Sequence, residues 1–482
     1  MLKIKKGLFW IFFAFIAVIL AMNVGFNFVY RNIFGYVVGI IYCGAVFLMC
    51  KKYSKCEKLQ GVKSVYILAA LVVTGFALRL GYALFSKAVP VSDYATMFGA
   101  AKSLAEGYNP FELGSYFHRF THMTAFTYVC GLLFKAFGVN LFLVKVINIF
   151  MSCVCIVLMY FISKKLFGKN AGILSAVIYT FFPASIAYCS VFATENFAMP
   201  FLLLSLYLVI CAYKSEKTRV CFYYMAAAGV VLSIGCLFRS VWPFFLCAYL
   251  ISVLILFRGF LRKTSIVALL LTFVIVFQAV SSFFYNTGVT KYRLEKSAVP
   301  YSVYVLVGLN FETNGAYSAE DQGIYYEVGG DTEKMNEVVK ERIIKRVTEN
   351  PLKIIPLMCV KTVMIFGQGE FNGFYWSYGS NGMEFDDPRL VFFYNIASMY
   401  FIMLLIGIMF VLKCYKYSGR ICLLSLLILG FEAGLMLMEI QSRYSYSVAF
   451  VFVILASAFV FEDLDSLNKK KEKVECDDKE IL

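Results

Sequence analysis

The chain has 482 residues, 61% of them hydrophobic, 18% aromatic and 16% charged. A water-soluble protein of that length cannot bury so much apolar surface, so lipid is the solvent for most of it. The formal charge of +15 resembles a nucleic-acid signal. The basic residues, however, sit in short clusters between apolar runs, where they set topology, and no nucleic-acid partner is expected.

The N-terminal stretch MLKIKKGLFWIFFAFIAVIL starts basic and stays apolar to about Tyr30 without a small-x-small cleavage site, which reads as a retained anchor. Apolar runs that suit a hydrocarbon core of about 30 Å lie near 8–30, 33–50, 64–85, 141–163, 171–190, 197–213, 220–238, 241–257, 264–283, 391–412, 421–440 and 445–461. Two shorter runs, 123–138 and 355–367, read as re-entrant or interfacial segments. With both returning to the side they left, every basic cluster falls in the cytoplasm: Lys3/Lys5/Lys6, Lys51–Lys63, Lys164/Lys165/Lys169, Lys214/Lys217/Arg219, Arg258/Arg262/Lys263 and Lys413/Lys416/Arg420. The predicted fold is therefore an all-α integral membrane protein of about 12 transmembrane helices with both termini inside. External interfacial helices are expected in the first large loop and in 284–356. Residues 1–63 form an N-terminal two-helix membrane extension, and 64–461 a transmembrane core with external loops 86–122, 284–356 and 368–390. Residues 462–482 form a charged cytoplasmic tail.

This threading places Asp93, Glu195, Arg239, Glu439 and Arg443 at external span ends. The segment 284–356 carries 9 basic and 10 acidic residues. Within it, DTEKMNEVVKERIIKRVTENP predicts an amphipathic helix with Asp331 as N-cap and Met335, Val338, Val339, Ile343 and Val347 on one face. Pro351 ends that helix, which would rest on the membrane surface or over a cavity mouth. None of the 15 cysteines falls in 86–122, 284–356 or 368–390, so neither a disulfide framework nor a cysteine metal site is expected. There is no clean inverted repeat of interrupted spans, the usual pointer to a secondary transporter. Charges gather on one face of the membrane, which points to a surface-facing reaction site.

Several of these residues have two readings. Asp93 is either a general base for a hydroxyl or, with Ser92, the cap of the helix YATMFGAAKSLAEG. Arg239, at the end of an apolar stretch, either binds a phosphate or snorkels to the headgroups. Arg443 has the same phosphate reading, or pairs with Glu439 one turn away. Glu195 faces the alternative that Thr194–Asn196 merely cap a helix. His118 and His122 stand four apart without an HExxH-type acid, so packing or sugar contact is preferred to zinc. The rings of Tyr375, Trp376 and Tyr378 could stack on a sugar, but an interfacial aromatic belt is the simpler reading.

The run from Asp93 through AKSLAEG to Asn109-Pro110, YFHRFTH at 116–122 and LFKAFG at 133–138 resemble the first external loop of the GT-C glycosyltransferases. The branch in question includes protein O-mannosyltransferases and lipid A aminoarabinose transferases. The hairpin with Pro183 and Glu195, the Arg239-containing GCLFRSVWPFF and the closing EIQSRYSYSV extend the likeness over about residues 64–461. The resemblance implies a membrane glycosyltransferase, mannosyltransferase-like, at the extracytoplasmic face of the cell membrane. It would move a sugar from a polyprenyl-phosphate donor to a cell-wall polymer, polysaccharide, lipid or protein. In its terms Asp93 is the base. Arg239, Arg443 and Lys361 contact the donor phosphate, with snorkelling the alternative for Lys361. Glu195, His118, His122 and Tyr444 shape the site or bind acceptor. Thr121 and His122 stand where the family often has proline followed by a basic residue. No cofactor is expected, and a divalent cation shared by Asp93 and Glu195 stays open. The competing readings are a polytopic transporter or flippase for lipid-linked sugars and a membrane assembly partner.

Overall fold

The computed structural model describes residues 2–459, whose regular structure is helix alone, with no strand among them. The tail predicted over 462–482 lies outside the described residues. Nine of the described helices are long and apolar enough to cross a bilayer: Leu2–Val29, Ile33–Lys55, Ser64–Ser86, Leu141–Phe167, Glu195–Lys214, Thr218–Phe238, Phe260–Asn286, Pro388–Cys414 and Gly419–Leu437. Two shorter apolar helices, Trp242–Leu256 and Ser442–Ser457, occupy the runs read as spans 241–257 and 445–461. They are short because the chain before each is non-helical: Arg239 is extended (φ −141°, ψ 114°) and so is Gln441 (φ −144°, ψ 143°). Both breaks carry residues of the site described below. The two short runs form helices Thr124–Phe137 and Ile354–Phe366 of 14 and 13 residues. At about 1.5 Å per residue, each is too short to cross the hydrocarbon core straight.

The run 171–190 differs from the expected single span. It is two helices, Lys169–Thr180 and Pro183–Tyr188, because Pro183 has no N–H to continue the ladder. The carbonyls left open at the break are met by Arg79, fully buried in the helix Ser64–Ser86. Its guanidinium donates to Tyr179 O (3.2 Å), Thr180 O (3.1 Å), Gly75 O (3.1 Å), Ser152 Oγ (2.8 Å) and Ser185 Oγ (2.8 Å). Broken backbone is tolerated at membrane depth when protein groups satisfy it in this way.

Small and polar residues hold the helices together, since lipid offers no hydrophobic drive for helix–helix association. Thr218–Phe238 packs so closely on Ser265–Asn286 that a Cβ at Gly229 would overlap the Leu269 carbonyl. The first helix joins Pro388–Cys414 through buried amides: Asn27 Nδ2 donates to Ser398 Oγ (2.6 Å), and Asn395 Nδ2 to Asn27 Oδ1 (3.0 Å). At the centre lies Ser442–Ser457, nearly every residue of which is buried. The predicted amphipathic helix is present as Thr332–Glu349, with Asp331 accepting from Glu333 N and Lys334 N. Its apolar face packs on neighbouring helices, Met335 and Val339 against Val303, Leu306 and Ile324. The stripe expected to rest on the membrane surface or over a cavity mouth is thus covered in part by protein.

Replacing Arg79 with Met should leave the Thr180 carbonyl without its partner, at about 1–3 kcal/mol for a buried group left unpaired, while Tyr179 O keeps its bond from Phe182 N. The expected outcome is a clear fall in the thermal unfolding midpoint of the detergent-solubilised protein; an unchanged midpoint would remove Arg79 from this role.

Candidate active site

Four separate parts of the chain meet at one end of the bundle. Asp93 is the first residue of the helix Asp93–Ala105. The Ser92 side chain makes no capping bond, and the Asp93 carboxylate is engaged elsewhere. Tyr116 Oη donates to its Oδ1 at 2.8 Å and Arg443 Nη2 to its Oδ2 at 3.0 Å. Arg443, in the first turn of Ser442–Ser457, therefore pairs with Asp93 and not with Glu439. Its guanidinium carbon lies 5.4, 5.6 and 5.7 Å from the ring centres of Tyr94, Tyr444 and Trp376. Aromatic faces of this kind stabilise a desolvated cation.

Arg239 forms a second pair, Nη1 to Glu195 Oε1 at 3.1 Å, with Glu195 fully enclosed. Thr194 bridges the pair: its hydroxyl donates to Glu195 Oε2 (3.2 Å) and accepts from Arg239 Nη1 (3.4 Å). Thr194 makes no side-chain cap to the helix Glu195–Lys214. The Tyr444 ring also lies 5.3 Å from the Arg239 guanidinium, so one aromatic ring contacts both cations.

Arg239, Arg443, Tyr444, His122, Tyr304 and Glu439 line a cavity of about 170 Å³. A second, mainly apolar cleft of about 330 Å³ adjoins it, sharing His122, Ser240, Ser297 and Tyr301. That cleft runs on between Trp242, Leu246, Leu270, Phe273 and Val274. Charge and apolar surface are thus continuous.

Two of the residues singled out from sequence are placed elsewhere. Lys361 donates to Gly308 O (2.8 Å), Met436 O (2.7 Å) and Met438 O (2.8 Å). All three of its N–H bonds close helix ends, and it does not line the cavity. His118 packs against Tyr292, ring centres 4.6 Å apart and planes tilted by 30°, and accepts at its backbone carbonyl from Ala298 N. Trp376 is neither belt nor free stacking platform, for it packs edge-on against Tyr94 beneath Arg443. The aromatic bracket of Tyr94, Tyr116 and Trp376 carries no sequence motif of its own. Its one signal is that Tyr94 and Tyr116 sit beside residues already of interest.

The protonation states follow from these contacts. Burial alone would raise the Asp93 carboxyl, but Arg443 and the Tyr116 hydroxyl outweigh it and hold it below its ordinary 3.8. Burial, reinforced by Arg239, pushes His122 down to about 4, so it is neutral at physiological pH. Burial raises Glu439, opposed by Arg443. No group of three or more metal-ligating side chains occurs among the described residues, and Asp93 and Glu195 each face an arginine.

Because the folded carboxyl of Asp93 is depressed, its pairing stabilises the protein above the unfolded value and is lost as pH falls through the folded one. The difference in unfolding midpoint between wild type and Asp93→Asn should accordingly stay level from about pH 8 to 5 and shrink only below about pH 4. A difference already vanishing near pH 6 would contradict the pair.

Residues 122–283 match the family model described as dolichyl-phosphate-mannose-protein mannosyltransferase. The matched segment includes His122, Glu195 and Arg239, while Asp93, Glu439 and Arg443 lie outside it. No curated protein matches the chain. Among solved structures, the oligosaccharyltransferase of Archaeoglobus fulgidus tethered with an acceptor peptide is similar at 13% identity and a TM-score of 0.45, over 82% of this chain and 49% of that one. The same enzyme in complex with zinc and sulfate aligns at 15% identity and a TM-score of 0.46, over 85% and 50%. This chain spans about half the length of those structures. Similarity to a mannosyltransferase family model thus covers residues 122–283 of a chain in which nine of the described helices are long and apolar enough to cross a membrane.

Proposed function

We propose that the protein transfers a glycosyl group from a polyprenyl-phosphate donor to a hydroxyl acceptor at the extracytoplasmic membrane face, with Asp93 as general base. The observation that carries this reading is the junction of the two cavities. Arg239 and Arg443 line a cavity that shares His122, Ser240, Ser297 and Tyr301 with an apolar cleft, an arrangement that suits a phosphate head joined to a long hydrocarbon tail. A water-soluble nucleotide sugar would have no use for the cleft. The extracytoplasmic assignment rests on the basic clusters, all of which lie away from the site-bearing loops.

In the proposed reaction the acceptor oxygen attacks the anomeric carbon as the carbon–oxygen bond to phosphate breaks. The acceptor proton goes to an Asp93 oxygen, and the bonding electrons leave with the lipid phosphate. Each Asp93 oxygen accepts one protein hydrogen bond and keeps lone-pair capacity for the acceptor. A carboxylate with so low an affinity for protons is a modest base. It suffices because the leaving group is already a stable anion, so most of the barrier is met by charge stabilisation from Arg239 and Arg443. Glu195 holds Arg239 in place, and Tyr444 spaces the two cations.

Purified protein in nanodiscs, supplied with undecaprenyl-phosphate hexoses, should release undecaprenyl phosphate and glycosylate an acceptor. Asp93→Asn should lower kcat by at least about 100-fold without loss of the folded state. Full activity in that variant would remove the base assignment. Movement of lipid-linked sugar across vesicles without any transfer would support a flippase instead.

A further inference from the structure

The proposed reaction leaves one cavity-lining carboxylate without a role. Glu439 is buried and faces the same cavity as Arg239 and Arg443, yet makes no ion pair among the described residues. Its side chain accepts from Gln322 Nε2 on Oε2 (3.3 Å) and from Gln441 Nε2 on Oε1 (3.5 Å). An ionised carboxylate offers about four acceptor positions, so about half remain directed at other donors. In a cavity that also presents two guanidiniums, the Tyr301, Tyr304 and Tyr444 rings and the Ser240 and Ser297 side chains among aliphatic residues, those positions suit a molecule that carries hydroxyls.

The structure fixes Glu439 more firmly than a surface carboxylate would need. Its backbone N–H donates to Tyr304 O at 2.8 Å, and the next residue, Ile440, donates to Gly315 O at 2.9 Å. A Cβ at Gly308 would overlap the Met438 carbonyl, so the external helix Tyr301–Gly308 lies directly against this bend. Gln322 is held in turn through its neighbour. Asp321, fully buried, receives Arg346 Nη2 on Oδ1 (3.0 Å), and on Oδ2 both Arg346 Nη1 (3.1 Å) and Asn310 Nδ2 (2.8 Å). Arg346 also donates to Leu306 O at 2.7 Å. The chain of contacts runs from the amphipathic helix Thr332–Glu349 through Asp321 and Gln322 to a carboxylate in the cavity wall.

We propose that Glu439 reads the hydroxyl groups of the transferred sugar, and that Gln322, braced by Asp321 and Arg346, is its positioning residue. The inference rests on the glycosyltransferase reading above. It assigns the external segment 284–356 a part in donor selection: its helices hold the carboxylate that discriminates one sugar from another. A site built to accept hydrogen bonds from hydroxyls penalises an analogue lacking them, because the buried acceptor is then left unpaired.

The test compares undecaprenyl-phosphate hexoses, mannosyl and glucosyl, with their singly deoxygenated counterparts, using the full-length protein in nanodiscs. Wild type should favour its best hexose over at least one deoxy analogue by about 100-fold or more in kcat/KM. Glu439→Gln should compress that ratio to within about tenfold while the deoxy donor itself loses little. Gln322→Leu should compress the same ratio less, with an unfolding midpoint close to wild type. Glu439→Asp should recover part of the preference that Glu439→Gln loses. Wild-type transfer with an undiminished ratio in Glu439→Gln would overturn this assignment alone. Wild-type inactivity with every lipid-linked hexose would overturn the glycosyltransferase reading and this inference with it. Should Glu439→Gln fail to fold, an undiminished ratio in Gln322→Leu would overturn the inference by itself.

Discussion

Asp93 and Arg443 are 350 positions apart in sequence and 3.0 Å apart in space. Their pairing ties the loop 86–122 to the last of the described helices, and most of the site's geometry follows from it. Arg443 is almost wholly withdrawn from solvent, and a guanidinium so placed requires a counter-charge and hydrogen-bond acceptors. Asp93 supplies both, and the rings of Tyr94, Tyr444 and Trp376 supply the rest of the lining. The carboxylate is in turn kept ionised by the arginine, which itself lines the cavity while Asp93 stands behind it. Removing either partner strands the other. Arg239 and Glu195 repeat the device a short distance away, with Thr194 between them.

The protein contains a third buried arginine that does something different. Arg79 meets no carboxylate in the structure and instead satisfies the backbone where Pro183 breaks a helix. Lys361 is similar, with all its donors turned to helix-end carbonyls. Buried cations thus fall into two kinds here. Some repair interrupted backbone, and some line the cavity beside a carboxylate. The distinction separates architecture from chemistry better than burial alone, because every one of these cations is buried.

Much of this was legible in the sequence. The long spans announce themselves by apolar length, and the Asp331 cap and apolar stripe of Thr332–Glu349 follow helical periodicity. Asp93, Glu195, Arg239 and Arg443 stood out as charges beside apolar runs, and they do converge. Which of them pairs with which did not stand out. Glu439, four residues before Arg443, was the nearer candidate by sequence, but Gln441 is extended and breaks the helical register that the i, i+4 rule assumes. Lys361 looked like the other cations because composition does not report where a helix ends. Tyr94 and Gln322 were invisible, and Trp376 showed only as one ring of an aromatic run, because aromatic and amide side chains near an interface are common, and only the tertiary fold selects which of them touch an arginine or a glutamate. Arg79 was missed for a related reason: its ligands are backbone carbonyls exposed by a break that the run 171–190 does not advertise.

The most direct measurement is a cryo-EM structure of the full-length protein in nanodiscs with undecaprenyl phosphate. The account predicts the phosphate within hydrogen-bond distance of Arg239 and Arg443, and the isoprenoid chain in the cleft bounded by Trp242, Leu270 and Phe273. A phosphate seated at the opposite end of the bundle, or Asp93 and Arg443 far apart with no common cavity, would contradict it.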